Sequence, residues 1–346
     1  MQTERRIRVG IVGLGRMGQN HIRAALGLKM QITRIFDLNS ESIKSSLQLI
    51  GENGVEVFTS EESFFNNISE NVDLLIIATT ASSHFTYLKM GVASGVKKIL
   101  CEKPIVNSVV QINEIRDLIN SSDVEVAVNH QMRFIPLYTE VVALQSRYKM
   151  QNLVSMVVSA ANFGLGMNVT HYFEAFRFVS GMKIDKISGY LESDLLSNPR
   201  GREFIDYAGI VFGVNQLNQK FFADFSSTAG HGVVVIYNFE KGKVIVDEIQ
   251  GTVTILVREE FNMDLPSNRY GSQTREFFIR IKPADSLAPT VSVIKSLADG
   301  NGYPDFEIGS QAVRTALAAI YSSANGNILV SPNEEQILSM PEVKWA

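Results

Sequence analysis

The chain has 346 residues, room for about two domains at roughly 100–200 residues each. Hydrophobic residues make up 45% and charged residues 20%, with only 25 glycines and 9 prolines, which excludes a disordered, collagen-like or low-complexity protein. The net charge of −4, from 32 basic and 36 acidic residues with no run of either sign, excludes the concentrated basic surface that nucleic-acid binding requires.

From Ile7 to Val128 short β-branched runs alternate with longer amphipathic segments, the rhythm of a parallel sheet with crossover helices. Strands are predicted at Ile7 to Val12, Gln31 to Phe36, Val55 to Phe58, Leu74 to Ala78, Lys98 to Cys101 and Glu125 to Val128. Helices are predicted between them at Arg16 to Leu26, Ser40 to Ile50, Phe85 to Ser94 and Val109 to Asn120, several preceded by Ser or Asn able to cap their N–H groups. After a helix from Pro136 to Ser146 the rhythm changes. Strand-like runs follow at Leu153 to Asn162, Tyr207 to Phe212, Lys220 to Phe225, Val233 to Phe239, Lys243 to Glu248 and Thr252 to Arg258. Turns as short as Glu240-Lys241-Gly242 suit antiparallel hairpins rather than crossovers. The segment Gly309 to Tyr321 reads as an Ala-rich amphipathic helix. The expectation is an α/β doubly wound Rossmann domain over 1–130, then an α+β domain over 131–346 with a large, open, mainly antiparallel sheet, the 309–321 helix packing back on the first domain.

The longest apolar runs fall far short of the ~20 residues that span a bilayer. Arg5 and Arg6 precede an apolar run, but Gly10, Gly13 and Gly15 break it, so it does not read as an export signal. A single cysteine, Cys101, allows no internal disulfide and fits a reducing cytoplasm. Five scattered histidines show no metal-ligand spacing, and no nucleophilic-serine elbow is present.

Gly13-Leu14-Gly15-Arg16-Met17-Gly18 is a G-x-G-x-x-G lying between a predicted strand and a predicted helix. There Gly13 permits a tight turn, Gly15 lets a pyrophosphate approach the backbone, and Gly18 lets the helix pack closely on the strand. Asp37 ends the second strand 19 residues after Gly18. A carboxylate at that place accepts hydrogen bonds from ribose hydroxyls and repels a 2′-phosphate, favouring NAD over NADP. Thr79 and His84, after the fourth strand, either line the nicotinamide half or serve a helix start. Lys103, in Cys101-Glu102-Lys103-Pro104 at the end of the fifth strand, is either a proton relay beside the nicotinamide or a solvated loop lysine.

With these motifs, and with Val128-Asn129-His130-Gln131-Met132-Arg133-Phe134 and Thr170-His171-Tyr172-Phe173-Glu174 further on, the chain resembles the Gfo/Idh/MocA family. The resemblance implies a dinucleotide in the first domain, with Gly13, Gly15, Arg16, Met17, Gly18, Asp37, Thr79, His84 and Glu102 around it. It also implies an open second-domain sheet that floors the substrate site and builds dimers or tetramers. Lys103 is then the active-site lysine, and His171 an acid/base or substrate ligand, for hydride exchange on a sugar, sugar nucleotide or cyclitol. Gln131, Arg133, Asn168 and Glu174 become substrate-side candidates, with Glu174, three residues after His171, orienting the imidazole. One departure stands out: where many members carry an aspartate four residues before this histidine, Met167 stands here. Two other readings accompany the resemblance. One is a redox-neutral glycosidase or lyase that recycles its NAD, and the other a regulator that senses a dinucleotide without turning it over. The aromatic run Tyr172, Phe173, Phe176 and Phe178 reads as helix core rather than as a sugar platform.

Overall fold

The computed structural model describes residues 5–51, 54–161, 163–198, 200–259, 261, 274–283 and 286–345. Two compact units emerge, one of residues 1–131 with 285–313 and 338–346, the other of residues 132–284 with 314–337.

The first unit opens with β1 (Arg8–Val12), α1 (Arg16–Gly27), β2 (Gln31–Phe36), α2 (Ser40–Ile50), β3 (Glu56–Phe58), α3 (Glu61–Phe65), α4 (Ile68–Asn71), β4 (Leu74–Ile77), α5 (Ala81–Ala93), β5 (Lys98–Cys101), α6 (Val109–Asn120) and β6 (Glu125–Val128). The strands form one parallel sheet in the order β3-β2-β1-β4-β5-β6, which places the reversal of strand order between β1 and β4, where dinucleotides bind in such sheets. Unbroken apolar β4 is buried on both faces, as a central parallel strand must be. Side chains cap the helix starts where the sequence suggests: Asn39 accepts from Glu41 and Ser42 N–H groups at α2, and Ser108 accepts from Gln111 N–H at α6. Helix α5 starts four residues earlier than predicted, bringing His84 into its first turn.

The second unit contains α7 (Pro136–Arg147), β7 (Leu153–Ala161), α8 (Thr170–Ser180), β8 (Lys186–Leu195), β9 (Tyr207–Val214), β10 (Lys220–Ser226), β11 (Val234–Phe239), β12 (Gly242–Asp247), β13 (Thr252–Arg258) and β14 (Thr274–Arg280). Its eight described strands run in the order β14-β13-β12-β11-β7-β10-β9-β8. All pairs are antiparallel but one: β7 and β10 run parallel, because two strands and α8 intervene between them in sequence. Asn162, expected to end β7, lies outside the described residues. On the buried face Phe221 packs edge-on against Phe173 and Phe176 of α8, at 5.3 and 5.8 Å between centroids, so these two, with buried Tyr172, are core, while Phe178 is half-buried.

The chain then returns to the first unit. Helix α9 (Leu287–Ala298) packs on α1, where Asn20 Nδ2 donates to Ser286 O at 3.0 Å. Helix α10 (Phe306–Ala324) gives its first part to the first unit, where Gly309 faces Val128 so closely that a Cβ would fall 2.5 Å from Cγ2. The remainder of α10 belongs to the second unit, where Ser322 Oγ accepts from Gly189 N–H at 3.0 Å. Short α11 (Glu335–Leu338) precedes a tail whose Trp345 is fully buried. A linear division of the sequence leaves these returns out, because α9 and the tail earn their place through tertiary contacts.

Candidate active site

The candidate residues fall into two groups, one in each unit.

In the first unit they gather at the carboxyl edge of the parallel sheet. Gly13 has φ +86°, and a Cβ there would lie 2.8 Å from the Ala78 backbone; a Cβ on Gly18 would lie 2.0 Å from Gly13 O. Gly15 differs, because a Cβ on it would meet no protein atom within 4 Å. It caps the start of α1 with no side chain over the helix N–H groups. An open backbone cradle at the positive end of a helix is what a pyrophosphate requires, so these residues fit the dinucleotide. Arg16 and Met17 open α1 beside it.

Asp37 stands at the end of β2 and braces this loop. Its Oδ2 accepts from Leu14 N–H at 2.6 Å and its Oδ1 from Asn39 N–H at 2.8 Å. An ionised carboxylate has about four lone-pair sites, so two are left for ribose hydroxyls. Thr79 Oγ1 accepts from the Ser83 hydroxyl at 2.8 Å. His84 is 1% exposed, with Nδ1 2.7 Å from Pro104 O and Nε2 3.2 Å from Thr79 O. The imidazole thus pins the loop after β4 to the loop after β5.

Lys103 is half-buried where β5 ends. Its neighbour Glu102 turns inward: Oε1 lies 2.7 Å from His21 Nε2 and accepts from Asn129 Nδ2 at 2.8 Å, all three residues being buried. Burial alone would push the Glu102 carboxyl up, but the bond and charge of His21, with Asn129 and the charge of Lys103, hold it at about 2. Glu102 is therefore a buried anchor under the lysine loop. Asn129 stood out in the sequence only within the 128–134 motif, with no role of its own; His21 did not, and the one sign was that it lies three residues past Gly18, on the helix that the glycine motif opens. Gln131, the last residue of this group, has Oε1 3.2 Å from Thr290 Oγ1.

In the second unit the group centres on α8. A π-helical turn, Leu165–Val169, leads into it, with Val169 N–H donating to Gly164 O at 3.0 Å, five residues back. Met167, Asn168 and His171 are half-buried along this start, whereas Thr170, Tyr172 and Phe173 are buried. Glu174, which the spacing set against His171, is engaged by two arginines. Its carboxylate, 2% exposed, accepts from Arg133 Nε at 2.9 Å and from Arg177 Nε at 2.7 Å. Two guanidiniums, one of them a turn ahead on the same helix, take the carboxylate, and Arg133 also lies over the Phe178 ring at 5.5 Å. Asp206, ahead of β9, also joins the group: its oxygens accept from Gly166 and Met167 N–H groups at 2.8 and 2.9 Å. Nothing local in the sequence marks it. Among the described residues no cluster of three His, Cys, Asp or Glu side chains could hold a metal ion, and no helix is long and apolar enough to cross a membrane.

With this geometry in view, the comparisons with known proteins are specific. The sequence profile described as "Oxidoreductase family, NAD-binding Rossmann fold" matches residues 7–130. The rhizopine catabolism protein MocA of Rhizobium meliloti is 30% identical over 131 residues, 38% of this chain and 39% of that protein. Inositol 2-dehydrogenase of Azotobacter vinelandii is 28% identical over 103 residues, 29% of each chain. The chain therefore aligns with well under half the length of these relatives. Two solved structures share the fold across nearly all of it. The transcriptional regulator Gal80p of Kluyveromyces lactis has a TM-score of 0.78 at 15% identity, covering 95% of this chain and 92% of its own. An oxidoreductase of Agrobacterium radiobacter, solved with NAD+, L-tartaric acid and magnesium, has a TM-score of 0.78 at 15% identity, covering 95% and 99%.

Proposed function

We propose, for a chain that belongs through residues 7–130 to the Gfo/Idh/MocA oxidoreductases, an NAD-dependent dehydrogenase or reductase acting on a secondary alcohol or ketone of a sugar, sugar nucleotide or cyclitol. The observation that carries the reading is the open cradle at Gly15 with the Asp37 carboxylate bonded to the loop beside it. The likeness to inositol 2-dehydrogenase supports the substrate class.

When bound, NAD supplies the hydride exchange at its nicotinamide ring. Gly13, Gly15 and Gly18 shape the backbone that receives the phosphates, and Asp37 accepts from the ribose hydroxyls. Oxidising a secondary alcohol also takes a proton from its oxygen, and that proton is the chain's own task. Lys103 Nζ holds the substrate oxygen and relays the proton, and His171 serves as acid/base or substrate ligand. Glu102, fixed by His21 and Asn129, keeps a negative charge beside Lys103.

Calorimetric titration of nucleotide-stripped protein with NADH and NADPH tests the cofactor. NADH should bind more tightly, and Asp37→Ala should erase the difference; equal binding in the wild type would sink the role of Asp37. A screen of sugars, nucleotide sugars and cyclitols then tests catalysis. Lys103→Ala should lower turnover by about 10²–10⁴-fold while leaving the NADH Kd nearly unchanged, and unchanged turnover would remove the lysine from the mechanism. A second reading rests on Met167: without a carboxylate there, the protein senses the dinucleotide and acts through a protein partner. Binding of NADH with no turnover on any substrate would favour it.

A further inference from the structure

The π turn Leu165–Val169, which leads into the helix of His171, starts without a cap of its own. Gly164, at its N-cap position, has no side chain, although the second and third residues of a helix carry N–H groups that a cap side chain ordinarily satisfies. Here those donors are Gly166 and Met167, and both reach a carboxylate from elsewhere: Gly166 N–H donates to Asp206 Oδ1 at 2.8 Å and Met167 N–H to Asp206 Oδ2 at 2.9 Å. Tyr207 N–H donates to Oδ1 as well, at 2.9 Å, so the carboxylate is held from its own strand. Asp206 is 3% exposed. The glycine and the aspartate are matched, because a Cβ on residue 164 would lie 1.9 Å from Asp206 Oδ2. Residue 164 gives up its side chain and Asp206, about forty positions away, takes over its task.

We infer that Asp206 is the positioning residue for Asn168 and His171, acting on them through the backbone of the 165–169 turn. A π turn carries one residue more than an α turn, so its presence sets which way every later side chain of the helix points. Asp206 secures that turn at its second and third N–H groups, and a negative charge at a helix start adds to their hold. The inference rests on the reading of His171 as an active-site residue.

Three variants test it: Asp206→Ala removes the cap, Asp206→Asn keeps one accepting oxygen without the charge, and Gly164→Ala displaces an unaltered carboxylate. Crystal structures come first, because they require no substrate. In Asp206→Ala and Gly164→Ala the 165–169 turn should rewind and the His171 ring should move by about 1 Å or more; an imidazole in its wild-type place in both would overturn the inference. Where turnover is measured, kcat should fall about 10²-fold, the effect of an ångström of misplacement, with the NADH Kd unchanged and Asp206→Asn intermediate. A residue with a merely structural role would lower the melting temperature and leave kcat per folded molecule intact. A wild-type protein with no turnover would count against the dehydrogenase reading, while the position of His171 in the variants would still decide the role of Asp206.

Discussion

Two glycines of one loop make opposite demands, and substitution separates them. Gly18 is needed by the fold: alanine there would drive Cβ into Gly13 O, so Gly18→Ala should lower the melting temperature and NADH affinity together. Gly15 faces open space with φ −65°, a conformation any residue adopts, so Gly15→Ala should change stability by about 0.5 kcal/mol or less. It should nonetheless weaken NADH at least about tenfold, roughly 1.4 kcal/mol, by filling the pyrophosphate's place. Thermal melts and calorimetry on both variants check this, and unimpaired NADH binding to Gly15→Ala would disprove the cradle. These glycines were legible in the sequence because only glycine meets their needs and because their spacing is local. Residues whose partners lie far along the chain were not. Glu174 was read against His171, three positions away, yet Arg133, forty-one positions away, holds it; Asp206 and His21 escaped for the same reason.

Between elements, two buried carboxylates respond to pH with opposite sign. Glu102 joins α1, β5 and the residue after β6, and its folded value of about 2 lies below the usual 4.5. Its contribution is therefore present above pH about 4.5 and lost as pH falls toward 2. Glu102→Gln should cost on the order of 2 kcal/mol at neutral pH, as loss of charged hydrogen bonds does, and should flatten the acid limb of stability. Glu248, just after β12, accepts from the Tyr172 hydroxyl of α8 at 2.7 Å and from the Tyr138 hydroxyl of α7. Burial raises its carboxyl above 4.5, and the two tyrosine bonds offset that only in part. Stability from this group is thus full below pH about 4.5 and declines as pH rises through the raised value. Glu248→Gln keeps an oxygen for both tyrosines, so the variant should gain on the wild type between pH 4 and pH 8; urea melts across that range check both carboxylates. Element positions were readable where burial writes a period into the sequence, as in β10, whose residues alternate between buried and half-buried. The edge strands of the second sheet write it weakly: five of the ten residues of β8 and five of the seven of β14 are exposed, and neither strand was predicted.

For the molecule as a whole, the eight-stranded sheet has one covered and one open face. Across the open face the register aligns Phe212, Phe222, Val157, Ile236 and Ile245 in one row over five strands, with Phe212 41% exposed. A continuous apolar row on a solvent face marks an association surface. The expected assembly is a homodimer or homotetramer closed through this sheet, and a paired change such as Phe212→Glu with Ile236→Lys should yield folded monomers in sedimentation; a wild type that sediments as a monomer would dispose of it. The returning segments have a different consequence, one of timing. The glycine loop is synthesised long before α9 and the 338–346 tail, so its unit lacks α9 against α1, the Val343 N–H donated to Asn107 O at 3.1 Å, and buried Trp345 until those segments follow. A unit begun before the second is thus completed after it, and its six-stranded sheet, fully synthesised by Val128, waits through the second unit's synthesis with the surface that α9 covers exposed to chaperones.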